Sequence, residues 1–206
     1  MTDPACAPGQ VFREPSGELA RSGRSDLVLV WDWPLRFWHW ALVLFVLVAW
    51  FTPNIYDGPH RWAGYLVIGL LVFRLAWGFL GTRHSRFRTL RARLRAAPSY
   101  LWGLRRGNAG RYLGLNPAGA AMMVALLALL AVSTITGVMQ TTVRFFGIWW
   151  VEDTHIYSSD AVMILVLLHV IGALVMSVVQ RENLVGAMFT GRKLRRKAEY
   201  AFAQMR

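Results

Sequence analysis

Two histidines fourteen residues apart, His155 and His169, lie in one long stretch, Val151 to Arg181, whose second half is almost wholly apolar. In an α-helix, fourteen residues rise ~21 Å and turn through ~1400°, within about 40° of four whole turns. Both imidazoles would therefore leave the same face at two depths. An ionisable side chain inside an apolar run is a functional-site candidate by default. Two more histidines hold related positions, His39 near the start of one apolar run and His60 at the start of the next. Imidazoles so arranged can hold a metal. Zinc takes three or four protein ligands, and no third donor is evident for either pair. A haem iron takes two axial ligands, because the porphyrin fills its plane.

These histidines must be positioned by membrane-length elements. Of the 206 residues, 55% are hydrophobic and 17% charged, a balance tilted towards a membrane protein. Four apolar spans are expected at about 34–51, 60–81, 118–140 and 155–180, each long enough for the ~30 Å hydrocarbon core. Pro34 and Pro117 suit first turns of helices. Trp31, Trp33, Trp38 and Trp40 at one end of the first span, and Trp50 at the other, read as interfacial aromatics. The third span has no histidine and no charge, but its Ala, Gly, Ser and Thr allow close helix packing. The expected fold is all-α, a four-helix transmembrane bundle spanning 27–191. A mobile tail, 1–26, rich in Pro, Gly, Ser and charge, precedes it and lacks the pattern of a secretory signal. A basic tail, 192–206, follows.

Cys6 is the only cysteine. One thiol excludes a disulfide framework, a thiolate iron–sulfur site and the covalent C-x-x-C-H haem attachment. The formal charge of +12, from 23 Lys+Arg against 11 Asp+Glu, is explained by its distribution. Thr82 to Asn116 holds nine arginines and no acid, and RKLRRK follows the last span. Basic loops collect on the cytoplasmic side, so both termini are expected there, against the headgroups of an inner membrane. Nucleic-acid binding is not needed to account for the charge.

With that topology His60 and His155 share the outer side, and His39 and His169 the inner. Each pair would hold one haem between facing helices, with Gly64 giving the ring room. Arg74 lies fourteen residues from His60, on the same face and ~21 Å inward, where it could pair with a propionate or snorkel to the headgroups. Arg36, one turn from His39, has a similar claim and a similar interfacial alternative. His84, in the arginine-rich loop, reads as a surface residue. A different class of function, a histidine proton relay or ion pathway without haem, is opposed by the lack of an acid deep in any span and of an internal proline.

Several motifs then resemble a known family. RFWHW around His39, HRWAGY and FRLAWG from His60, GTRHSRF, LNPAGA, ENLVGAMFTGRK and the paired His155 and His169 are similar, in order and spacing, to the bacterial cytochrome b561 and nickel–iron hydrogenase b-type cytochrome family. The likeness covers about Leu27 to Lys193. It implies two non-covalent, bis-histidine b-type haems with His39, His60, His155 and His169 as ligands. It also implies electron exchange with the quinone pool or an associated redox subunit. Asp57, Glu152, Asp153 and Asp160 make the outer mouth mildly acidic, which favours a cationic periplasmic partner, such as a dehydrogenase subunit or a cytochrome c. The same acidity disfavours the rival reading, a self-contained superoxide oxidase that reduces quinone.

Overall fold

A computed structural model describes residues 26–53, 57–80, 90–107, 115–180 and 182–195. The expected mobile N-terminal tail, Cys6, His84 and most of the basic C-terminal tail lie outside these residues. Residues 28–193 form one compact unit. Its helices are α1 (Trp33–Phe51), α2 (Asp57–Leu80), α3 (Leu90–Arg105), α4 (Pro117–Gln140), α5 (Trp149–Gln180) and α6 (Leu184–Thr190). Two short strands, β1 (Asp26–Leu29) and β2 (Arg192–Arg195), pair with each other.

Helices α1, α2, α4 and α5 are long and apolar enough to cross a membrane. Their outward faces carry large apolar side chains such as Leu44, Val72, Ile164 and Val178, all more than half exposed, as lipid-facing surfaces require. Asp32 starts α1: its carboxylate accepts from the Leu35 N–H at 3.2 Å, with Pro34 in the first turn where no N–H is needed. Asn116 starts α4 the same way, accepting from Gly119 N–H at 2.6 Å. Helix α5 starts six residues earlier than expected. Gly147 has φ +69°, a conformation cheap only for glycine, and the chain turns there so that Trp149 and Trp150 already belong to the helix.

Helix α4 packs along α5, α1 along α2, and α2 reaches α4. At mid-depth Val67, Leu130 and Val162 are buried together, with Phe45, Leu71 and Val166 against them. This apolar layer joins all four spans. Val162 is seven residues from both His155 and His169 on α5, so the layer sits between them.

Two departures follow from local chemistry. The arginine-rich segment contains α3, whose Leu90, Leu94, Ala97, Tyr100 and Leu104 recur at helical spacing; Ala97 and Tyr100 are buried and α3 packs on α4. Trp38 is not an interfacial aromatic. It is 7% exposed and its indole donates to the Leu70 carbonyl at 2.7 Å.

Candidate functional site

At one end of the bundle, α2 presents His60 and α5 presents His155. Their ring centroids are 6.0 Å apart and the planes are nearly perpendicular, at 86°. Neither ring hydrogen-bonds the other. Instead, His60 Nδ1 donates to the Ala49 carbonyl at 2.8 Å, and His155 Nδ1 donates to the Ser133 carbonyl at 2.8 Å. A carbonyl can only accept, so each Nδ1 is the donor, and in the neutral ring Nε2 keeps a free lone pair. A backbone carbonyl holding the far nitrogen is the usual support for a metal-binding histidine.

The sequence supplies both carbonyls for a physical reason. The Ala49 carbonyl would ordinarily accept from the N–H four residues on, but residue 53 is proline and has none. His60 takes the vacant acceptor. On α4, Gly137 leaves the gap that His155 occupies: a Cβ there would stand 3.0 Å from His155 Cε1 and 3.2 Å from Nδ1. The Ser133 hydroxyl, at 2.8 Å from that of Ser159, ties α4 to α5 at the same level.

A cavity of about 570 Å³ opens between the rings, lined by His60, His155, Gly64, Tyr65 and Trp50, with Val67, Leu130 and Val162 also on its wall. That volume lies in the range of cofactor pockets, ~300–1,000 Å³. Gly64 faces open space, with nothing within 4 Å of where a Cβ would be.

At the other end, His39 on α1 and His169 on α5 have ring centroids 6.5 Å apart, inclined at 54°. His39 also stands edge-on to Trp40 at 5.3 Å, and its Nδ1 is buried without a hydrogen-bond partner. The two rings are level although His169 lies eleven residues from the end of its helix and His39 only six from the start of its own. The 32 residues of α5 make a rod of ~48 Å, which overhangs a ~30 Å core and absorbs the difference.

Both pairs fit the same kind of group. Metal–imidazole bonds are ~2.0 Å, so two of them in line, with the half-width of each ring, put centroids about 6 Å apart. The observed separations of 6.0 and 6.5 Å suit one iron between them. Each pair is two nitrogens without a third donor, and no cluster of three or more His, Cys, Asp or Glu occurs among the described residues. Two facing imidazoles without a third donor, bordering at the outer level a largely apolar cavity, match haem better than a bare metal ion.

Arg74 is 4% exposed. Its guanidinium lies 5.8 Å from the centre of the Trp38 ring, one amino group is 3.4 Å from Met123 Sδ, and Asp32 attracts it. Asp32, which the sequence reading passed over, also accepts from Trp77 Nε1 at 3.2 Å. Arg36 is engaged at the other end of the chain, donating to the Phe189 carbonyl at the end of α6. Trp40 stacks on the Phe189 ring at 4.3 Å, and Gly191, at φ +76°, closes α6 and accepts from Val30 N–H at 2.9 Å. Helix α6 thus clasps the start of α1.

Residues missed from sequence are Pro53, Ser133 and Gly137. A proline four residues beyond Ala49, just past the end of a span, was a readable signal of a vacant carbonyl. Gly137 and Ser133 gave none, because small residues recur along the whole third span. Neither a curated protein nor a solved structure matches the chain. The family described as prokaryotic cytochrome b561 matches residues 30–191, which takes in the four membrane-length helices and His39, His60, His155 and His169. The chain belongs to the prokaryotic cytochrome b561 family, multi-pass membrane proteins that bind haem b and carry electrons.

Proposed function

We propose that the protein carries electrons across the inner membrane through two haems, taking them from a periplasmic redox partner and passing them to quinone. The observation behind this is the two imidazole pairs at opposite ends of one apolar bundle, each with the separation one iron needs. Bound at each level, haem b would supply a one-electron redox centre. The protein does the rest. His60 and His155 would hold the outer group, fixed in tautomer and orientation by the Ala49 and Ser133 carbonyls. His39 and His169 would hold the inner one. Gly64 keeps the outer cavity clear, and the Val67–Leu130–Val162 layer excludes water and ions from the path between levels. Arg74, buried and cationic, is the candidate to hold an inner propionate; Arg36, already bound to Phe189, is the weaker one.

The excess of arginine from Thr82 to Asn116 supports a topology with both termini on the cytoplasmic side. A pyridine haemochrome assay with reduced-minus-oxidised spectra tests the reading on the wild type, His155→Ala and His169→Ala. Two b-haems per chain are expected, with a different one lost in each variant. Fewer than two haems in the wild type, or a count indifferent to His155, would overturn it.

A further inference from the structure

The two histidine pairs differ in one respect that bears on energy. Both outer rings give their Nδ1 proton to a backbone carbonyl at 2.8 Å. In the inner pair, His39 Nδ1 is buried with no acceptor. A carbonyl drawing on the far N–H raises the basicity of the coordinating nitrogen. A more basic ligand stabilises ferric over ferrous iron and lowers the reduction potential. With identical axial ligand types at both levels, hydrogen bonding around the ligands and burial are the remaining controls. Surroundings add in the same direction: the outer cavity is lined by Ser133, Thr134, Thr141 and Ser159, dipoles that favour the more charged ferric form. His39 follows the buried Leu35 and Trp38.

We propose that the outer pair, His60 and His155, sets the lower reduction potential and the inner pair, His39 and His169, the higher. The inference rests on both pairs being axial ligands. An electron then moves downhill from outer to inner: the outer centre is oxidised by one electron and the inner reduced by one. No proton moves at the outer pair, since each Nδ1–H there stays on its carbonyl. The direction of transfer is written into the protein before any partner binds.

Two substitutions address the outer carbonyls without touching a histidine. Pro53→Ala gives residue 53 an N–H that competes with His60 for the Ala49 carbonyl. Gly137→Ala introduces a Cβ at 3.2 Å from His155 Nδ1 and loosens its hold on Ser133. The test is a potentiometric titration of the full-length haem-loaded protein in lipid nanodiscs, followed by visible and electron paramagnetic resonance spectra. Two one-electron waves are expected, separated by at least a tenfold difference in ferric-to-ferrous ratio at a common potential, 59 mV. Both variants should raise the lower wave and leave the upper one in place. Movement of the upper wave, coincident waves in the wild type, or no movement in either variant would overturn the order. Haem is counted beforehand on the same sample: fewer than two per chain overturns the two-centre reading as well, whereas two haems in the wrong order overturn this inference alone.

Discussion

At the scale of single residues, the outer site is built as much by what is absent as by what is present. Pro53 lacks an N–H, Gly137 lacks a side chain, and each absence gives a histidine its seat. Gly137→Leu should therefore displace the His155 ring, whose Cε1 lies 3.0 Å from the first added carbon. The haem count should fall from two to one by pyridine haemochrome, with the inner spectrum retained. Ser133→Ala makes the contrast. It removes the hydroxyl paired with Ser159 but keeps the carbonyl that holds His155. Thermal unfolding should register about 1 kcal/mol, the net value of one hydrogen bond, and the haem count should stay at two. The histidines themselves were readable in the sequence because ionisable rings stand out against Leu and Val. Their supports were not, because a carbonyl has no letter of its own and a glycine in a small-residue span looks like any other.

At the scale of elements, the four spans were legible from length and hydropathy, and the starts of the first and third from Pro34 and Pro117. The start of α5 was not, since WWVED reads equally as loop or first turn until Gly147 is known to take a left-handed conformation. Helix α3 was hidden by its arginines, although its leucines keep helical spacing. Asp32 is the element-scale residue most exposed to test. It caps α1, accepts from Trp77 on α2 and attracts Arg74. Asp32→Ala should cost more than the ~1 kcal/mol of a lost cap, because it also strips a buried cation of a counter-charge. Asp32→Asn should recover the cap, but neither the charge nor the indole bond, because its NH2 replaces the oxygen that accepts from Trp77. Thermal melts of the two variants separate these contributions.

At the scale of the whole molecule, each histidine pair takes one member from α5, while the opposing members come from two different helices, α1 and α2. Helix α5 runs 32 residues without a proline, so the two levels are fixed to a single rod. Inserting one residue after Val162 would turn His169 by ~100° relative to His155. One haem should then be lost while a folded helical protein persists by circular dichroism; retention of both would mean that the levels are not set by α5. A membrane of different thickness tilts or kinks its helices to match, and loops can lengthen freely. Neither changes a distance measured along one uninterrupted helix. The spacing of the two histidine levels is therefore a property of the chain itself, insulated from the composition of the bilayer around it.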